Sequence, residues 1–273
     1  MLGRLAIVAG GGPMPRRLAD TARAAGRDVF IVALDGITDP STFDGLPHGT
    51  VGIGQLGKAI DLLHRENISE VCMIGPVKRP SFSAMGLDAR AISVLPKLLR
   101  TGRGDDALLK LVLGELEAEG FRVVGAHELE AGLLAPAGVL GRHAPDSDAQ
   151  RDIQLGLTVA RALGLLDVGQ AVVVQQEQVI GVEAVEGTDR LLERCAELRL
   201  AGRGGVLVKV KKPQQERRAD LPTVGTGTVA RAVAAGLAGI AVEAEQTLLV
   251  DREATVAACD QAGLFLLGID PAS

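Results

Sequence analysis

The sequence is poor in aromatic side chains, with five Phe and no Trp or Tyr among its 273 residues. Proteins that bind single-stranded nucleic acid without sequence preference stack bases on aromatic rings, so the composition argues against that class. The net charge of −5 also argues against a whole-protein electrostatic attraction to nucleic acid or to anionic lipid. Any anion-binding site is therefore expected to be local, and no nucleic-acid partner is expected.

Cysteine, histidine and long apolar runs are scarce as well. Cys72, Cys195 and Cys259 form no CxxC pair, and we interpret them as reduced structural thiols of a cytosolic protein. The four histidines have no metal-binding spacing and no GxSxG motif is present, which leaves zinc enzymes and serine hydrolases without support. No apolar run approaches the roughly 18 residues of a membrane span, and the N-terminal segment predicts a strand rather than a signal peptide.

Apolar runs alternate with amphipathic segments in the first half of the chain. The runs LAIVAG (5–10), VFIVAL (29–34) and EVCMIG (70–75) are typical of buried parallel strands, with helices predicted between them. This alternation predicts a Rossmann-like parallel sheet over residues 1–130.

A second α/β domain is predicted after a stretch rich in Gly, Ala and Pro at 131–147, which we interpret as a linker. Residues 148–273 begin with a helix over about 148–164 and continue with several short strands, so we expect a mixed, catalytic α/β domain there. The predicted fold class is thus α/β, with two α/β domains joined by a linker. The strand order of the second domain is left open.

A glycine-rich loop at Gly10–Gly12 follows the first strand and precedes a helix. Exposed N–H groups at a helix start favour phosphate, and glycine lets the backbone come close to a ligand. The loop matches half of a dinucleotide-binding fingerprint, with Pro15 in place of the third glycine and Asp35 at about the distance of a ribose-binding acid. A tight turn leading into a helix explains the same residues equally well.

Carboxylates gather at two other loops. The motif EGTD runs from Glu186 to Asp189 at the start of a predicted helix, and Glu183 lies three residues before it. Thr188 is the expected N-cap of this helix. Asp105 and Asp106 follow GRG before another helix, where one of the pair would cap the helix and the other would be free to bind Mg²⁺ or to pair with a basic side chain. Carboxylate oxygens are the ligands that this cation takes.

The most unusual stretch is KVKKPQQERRADLPTVGTGTVARAV, from Lys209 to Val233. Lys209 alternates with apolar residues of a strand, so we expect it to face a cleft, because lysine is rarely buried unpaired. Basic side chains followed by a Gly/Thr loop at a helix start predict a diphosphate site. A solvated charged loop with a threonine cap is the alternative, and it is the commoner outcome for a run of charges.

Taken in order, several motifs resemble the LpxI family of UDP-2,3-diacylglucosamine pyrophosphatases over essentially the whole chain. They are LAIVAGGGPMP, MIGPVKRP, GDDALLKLV, VGQAVVV, VEAVEGTDRLLER, KKPQQERRADLPTVGTGTV and GLAGIAVEAEQTLLVD. EGTD and KPxQxxRxDLPxxGxxT are specific as a pair. The chain departs from the family pattern at Glu177, where a turn glycine is usual, and at Glu245, where a small residue is usual.

The resemblance implies a bacterial enzyme of lipid A synthesis, cytoplasmic and peripherally associated with the inner membrane. It would hydrolyse UDP-2,3-diacylglucosamine to UMP and 2,3-diacylglucosamine 1-phosphate (lipid X), with Mg²⁺ as the cofactor and Mn²⁺ as the second candidate. Its partners would be this substrate and product and the membrane surface, and a homodimer is left open.

The same resemblance implies three sets of site residues. Asp220 would be catalytic and would act with Mg²⁺ on the attacking water. The implied metal ligands are Asp105, Asp106, Glu183, Glu186 and Asp189. The implied substrate-binding residues are Gly11, Gly12, Lys78, Arg79, Gln170, Thr188, Lys209, Lys212, Thr223, Gly225 and Thr226.

Two other functions compete with this one. An NAD(P)-dependent oxidoreductase would use the half fingerprint and Asp35, but the missing third glycine counts against it. A non-catalytic nucleotide-sugar binding protein would use the basic loops, but pure binding does not need so many carboxylates.

Overall fold

The structure is a computed structural model that describes residues 3–77, 86–101 and 105–270, without the side chains of residues 97–101 and 105. Its elements divide into two compact units. The first consists of Met1–Ala131 with Glu216–Asp220, and the second of Gly132–Gln215 with Leu221–Ser273.

The first unit is built on a five-stranded sheet of order β3-β2-β1-β4-β5 in which every pairing is parallel. Its strands are β1 (Arg4–Ala9), β2 (Val29–Leu34), β3 (His48–Val51), β4 (Ile68–Ile74) and β5 (Arg122–Val123). Its helices are α1 (Met14–Ala24), α2 (Leu56–Arg65), α3 (Ala89–Thr101), α4 (Asp105–Ala118) and α5 (Ala126–Leu129). The predicted Rossmann-like parallel sheet is confirmed.

The central strands of this sheet are the apolar runs of the sequence. All six residues of β2 are buried, and Ile7 of β1 lies in register between Ile31 and Cys72 of the neighbouring strands. A strand covered on both faces needs apolar side chains at every position, which is why these runs do not alternate.

The second unit is built on a six-stranded mixed sheet of order β6-β13-β11-β9-β7-β8. Its strands are β6 (Gly138–Leu140), β7 (Ala171–Gln175), β8 (Gln178–Val182), β9 (Val206–Lys209), β11 (Gly239–Glu243) and β13 (Phe265–Ile269). A separate parallel pair consists of β10 (Thr223–Val224) and β12 (Leu248–Leu249). The helices are α6 (Ser147–Leu165), α7 (Gly187–Glu197), α8 (Thr226–Ala234) and α9 (Arg252–Ala262).

Two apolar cores cover the two faces of the mixed sheet. Val172, Val174 and Val208 pack in one core with residues of α6, whereas Val173 and Leu207 pack in the other with residues of α7 and α8. Strands β9, β11 and β13 are parallel, while β6, β7 and β8 pair antiparallel with their neighbours. The predicted mixed α/β domain is therefore confirmed, and its strand order is now known.

The two departures from the family pattern occupy left-handed backbone. Gln176 and Glu177 form the turn between β7 and β8 with φ of 54° and 58°, and Glu245 has φ of 57°. This conformation is uncommon for residues other than glycine. Fully buried Asp152 holds the turn, since its carboxylate accepts the N–H groups of Gln176 at 3.2 Å and Glu177 at 2.6 Å.

The predicted linker at 131–147 takes part in the fold of the second unit from residue 132 onward. Within it, β6 pairs antiparallel with β13, where Val139 lies opposite Leu267. Gly138 has φ of 98°, so a glycine in this stretch serves strand geometry rather than flexibility.

Among the helices that the structure describes, none has the length and apolar character needed to cross a bilayer.

Candidate functional site

Lys209 is the last residue of β9, with Ala171 and Val242 opposite it on the neighbouring strands. It was expected to face a cleft, but it is 7% exposed and its Nζ donates a hydrogen bond to the carbonyl of Thr223 at 3.1 Å. A buried ammonium needs such acceptors. The side chain therefore ties the end of β9 to the start of β10, which the alternating sequence pattern could not reveal.

The loop after β9 is fastened to the second unit at several points. The N–H of Lys211 donates to Glu243 at 3.0 Å, and Lys212 Nζ lies 2.6 Å from the Asp167 carboxylate. Gln214 donates to the carbonyl of Gly164 at 2.9 Å. A phosphate bound by Lys212 would therefore compete with Asp167 for the same ammonium.

The next five residues, Glu216–Asp220, belong to the first unit. The N–H of Glu216 donates to Asp106 at 3.2 Å, and Ala219 packs against the core of that unit. The N–H of Asp220 returns to the carbonyl of Glu216 at 2.9 Å, so the segment forms a turn that carries Asp220 at its end. Asp220, the predicted catalytic residue, therefore lies in a short segment of the first unit. The residues directly before and after this segment belong to the second unit.

Arg218 is neutralised within this turn. Its guanidinium bonds Glu216 at 3.0 Å and also pairs with Glu117 of α4. Hydrogen bonds to Glu216 and then to Glu117 raise the pKa of Arg218, and the hydrogen bond from Arg218 lowers that of Glu216. Arg218 therefore holds the turn in place rather than offering a cation to a phosphate.

Helix α8 follows this stretch in the sequence and begins without a side-chain cap. Gly225 is its N-cap, and Thr226 is exposed at the first helical position. The first N–H groups of a helix lack carbonyl partners one turn back and carry its positive end, a combination that favours anions. In α8 the N–H of Thr228 already donates to the carbonyl of Gly225 at 2.9 Å. Gly225 also permits close packing, because a Cβ at this position would lie 3.3 Å from that of Val250.

Each carboxylate in and just before the EGTD loop is bonded to different partners. Glu183 is buried and accepts Thr188 Oγ1 at 2.6 Å and the N–H of Gln170 at 2.9 Å. Asp189 pairs at 3.2 Å with Arg231 of α8. Thr188 is not the N-cap as expected, because the helix begins at Gly187 with Glu186 in the cap position and the threonine hydroxyl turns to Glu183 instead.

Glu186 has partners of its own. It accepts the N–H of Ala184 at 3.1 Å and the guanidinium of Arg194 at 2.8 Å. Hydrogen bonds from backbone N–H, its own first, and from Arg194 lower the pKa of Glu186. The acid is thereby kept ionised and already satisfied.

The expected metal ligands do not assemble into a metal-binding group in the part of the chain that the structure describes. No set of three or more His, Cys, Asp or Glu side chains there could hold a metal ion. Asp106 uses its two oxygens on Glu216 N–H and on Lys110 Nζ, and the side chain of Asp105 lies outside the described residues.

The N-terminal glycine loop packs against the loop that follows β4. A Cβ on Gly10 would lie 2.3 Å from the carbonyl oxygen of Gly75, and the N–H of Gly11 donates to the carbonyl of Pro76 at 2.8 Å. Close approach of two backbones thus explains Gly10, and Gly11 already uses its donor. Gly12 adopts φ of 78°, and the implied binding residues Lys78 and Arg79 lie outside the described residues.

Sequence reasoning missed Glu243 and Asp167. Glu243 ends β11, is 8% exposed and holds both Lys211 N–H and, at 3.3 Å, Arg161. An acid directly after the apolar run GIAV could have signalled a residue at the carboxyl end of a buried strand. Asp167 stands between Leu166 and Val168 in the turn after α6 and gave no such signal, because only the fold brings it to Lys212.

Comparison with known proteins covers both units. Models of the LpxI N-terminal and C-terminal domains match residues 4–133 and 136–267. The UDP-2,3-diacylglucosamine pyrophosphatase LpxI of Caulobacter vibrioides is 49% identical over 275 residues, covering 98% of each chain. Among solved structures, the NAD complex of UDP-glucose 4-epimerase from Thermus thermophilus covers 99% of this chain and 88% of its own, with 12% identity and a TM-score of 0.33. That score is too low to bear on fold or cofactor, whereas the two family models together span nearly the whole sequence. The chain therefore belongs to the LpxI family.

Proposed function

We propose that this protein hydrolyses the diphosphate of UDP-2,3-diacylglucosamine to UMP and 2,3-diacylglucosamine 1-phosphate in lipid A synthesis. The observation that carries the proposal is the 49% identity over 98% of the chain to a pyrophosphatase named for this substrate. The specific motifs EGTD and KPxQxxRxDLPxxGxxT lie within the matched region. An oxidoreductase is not favoured.

In the proposed reaction, Asp220 orients the attacking water and accepts its proton. A bond forms between the water oxygen and one phosphorus, and the bond from that phosphorus to the bridging oxygen breaks. The leaving phosphate takes the electron pair of that bond. Phosphoryl transfer depends mainly on positioning and on neutralising charge, and a carboxylate is a suitable base for the attacking water.

We propose that the phosphates bind at the exposed start of α8 and at Lys212. The support comes from the uncapped first turn at Thr226 and from the exposed side chain of Thr223. Because Lys212 is held by Asp167 at 2.6 Å, we propose that substrate phosphate replaces Asp167 on that ammonium.

The substrate carries two acyl chains, so we propose that the enzyme meets it at a membrane surface. This would make the protein a peripheral one on the cytoplasmic side of the inner membrane. Sedimentation with vesicles of bacterial lipids, with and without the substrate lipid, tests this part of the proposal separately from catalysis.

The catalytic assignment is tested by Asp220→Ala. We expect a folded protein whose turnover of UDP-2,3-diacylglucosamine falls at least roughly 10²-fold, the usual scale for loss of a general base. The substrate should still bind, because the start of α8 and the lysines are unchanged. Asp148→Ala serves as the control, since Asp148 is a half-exposed acid on the first turn of α6. Near-normal turnover of Asp220→Ala would remove the catalytic role of Asp220 and leave the family membership standing.

A further inference from the structure

The carboxylate of Asp106 is committed to two partners in the first turns of α4. The side chain is 7% exposed, Oδ1 accepts the Glu216 N–H at 3.2 Å, and Oδ2 lies 2.8 Å from Lys110 Nζ. A carboxylate buried to this extent is normally fully hydrogen-bonded, and this one has an acceptor bond on each oxygen. The resemblance implied a metal ligand here, but the geometry shows an acceptor for backbone.

Glu216 accepts the backbone hydrogen bonds that form the turn. Its carbonyl accepts the N–H groups of Ala219 at 3.3 Å and Asp220 at 2.9 Å. Its N–H donates to Asp106 of α4, so Glu216 connects this helix to the hydrogen bond that positions the N–H of Asp220. A shift of Glu216 would be passed to Asp220 through these bonds.

Helix α4 also holds the turn further along. Arg218 pairs with Glu117, and Ala219 packs against the core that contains Leu113 and Leu116 of α4. These contacts give the turn a polar anchor at its start, an ion pair in its middle and an apolar contact near its end. Of these three, the Asp106 anchor is the one that binds the backbone of Glu216, whose carbonyl receives the N–H of Asp220.

We propose that Asp106 is a positioning residue for the hydrolysis, which fixes Glu216 and thereby sets where Asp220 stands. The proposal rests on the proposed function and assigns Asp106 a role in place of metal binding. The chain leaves the second unit after Gln215 and returns to it at Leu221. Without the hydrogen bond to Asp106, the segment Glu216–Asp220 would lose the contact that fixes its first residue.

The test compares Asp106→Ala and Asp106→Asn with wild-type protein in steady-state hydrolysis of UDP-2,3-diacylglucosamine. Asparagine keeps the Oδ1 acceptor for the Glu216 N–H but loses the charge that a cation would need. We expect kcat of Asp106→Ala to fall about 10-fold or more with little change in KM, and kcat of Asp106→Asn to stay within about 5-fold of wild type. Asp61→Ala removes an exposed acid of α2 in the same unit, so it is the control and should stay within about 3-fold.

A double-mutant cycle with Asp220→Ala distinguishes a positioning role of Asp106 from a purely structural one. If Asp106 acts through Asp220, adding Asp106→Ala to the Asp220→Ala protein should reduce the residual rate by less than about 3-fold. If Asp106→Ala does not fold, Asp106→Ser replaces it with the same expectation, because the serine hydroxyl is too short to reach the Glu216 N–H.

Three results would overturn the proposal. The first is an equal loss of kcat in Asp106→Ala and Asp106→Asn together with a raised half-saturating Mg²⁺ concentration. The second is full kcat in folded Asp106→Ala. The third is that Asp106→Ala lowers the rate of the Asp220→Ala protein by as much as it lowers that of the wild type. Absence of hydrolysis by the wild-type protein is a different outcome, and it would reject the proposed function itself.

Discussion

Asp152→Ala is expected to weaken the second unit by about 3–4 kcal/mol, because the carboxylate is fully buried with three charged or polar partners. It accepts N–H groups from Gln176 at 3.2 Å and Glu177 at 2.6 Å, and lies 2.7 Å from Arg203. Hydrogen bonds to a charged group contribute about 1.5–3 kcal/mol each, and breaking a buried ion pair costs about 3–5 kcal/mol. We take the lower part of this range because Arg203 is 26% exposed and keeps Asp148 at 3.7 Å.

The turn that Asp152 holds makes the loss local and specific. Both of its residues have positive φ, a conformation that costs about 1 kcal/mol or more each unless neighbouring groups impose it. Removing the acceptor leaves their N–H groups facing a space that no longer holds an oxygen. Asp152→Asn keeps one acceptor without the charge, so its loss should be about 1–2 kcal/mol.

Urea unfolding followed by circular dichroism measures this change. With a slope of about 2 kcal/mol per molar urea, the midpoint of Asp152→Ala should fall by about 1.5–2 M at unchanged slope. Asp148→Ala is the matched control on the same helix, and its half-exposed pairs with Arg151 and Arg203 predict a loss of less than about 1 kcal/mol. If the midpoints of the two alanine variants agree within about 0.5 M (roughly 1 kcal/mol at this slope), the reasoning about Asp152 is wrong.

Hydrolysis should stop after exhaustive EDTA treatment and return with Mg²⁺ or Mn²⁺ but not with Zn²⁺. The reason is that Mg²⁺ is commonly held by one or two carboxylates together with substrate phosphates. Full turnover in EDTA would contradict this prediction. Burial raises the pKa of Cys72 to about 12 and of Cys259 to about 11, so neither should react with a thiol reagent at pH 8 until urea is added. Rapid labelling of the native protein at either site would contradict that burial. Burial and then the charge of Arg217 lower the pKa of His127, so the folded state resists a proton that the unfolded state takes up near pH 6.5. Stability should therefore fall as pH drops through 6.5, and the loss between pH 7.5 and 5.5, measured by urea midpoint, should be smaller in His127→Gln; an equal loss in both proteins would refute it.

Local pattern was sufficient for the class of the fold and for its long apolar strands, but not for β6, which lies within the predicted linker. The runs at 5–10 and 29–34 are apolar at successive positions because strands covered on both faces require it, and such runs predict parallel strands before any contact is known. The same holds for the helix predicted over 148–164, which is α6. The family followed from motifs whose spacing is itself a property of the sequence.

Pairing between distant segments was decided only by tertiary structure. The order of the mixed sheet, the burial of Lys209 and the meeting of Lys212 with Asp167 depend on segments far apart in sequence. Asp220 is the clearest case, since the residues on either side of its turn belong to the second unit while the turn itself belongs to the first. Hydrophobic periodicity reports which face of an element is buried, but not which element buries it, because that choice is made by the summed contacts of the whole chain. The hydrogen bond between Glu216 and Asp106 could therefore not be predicted from the residues next to Glu216 in the sequence.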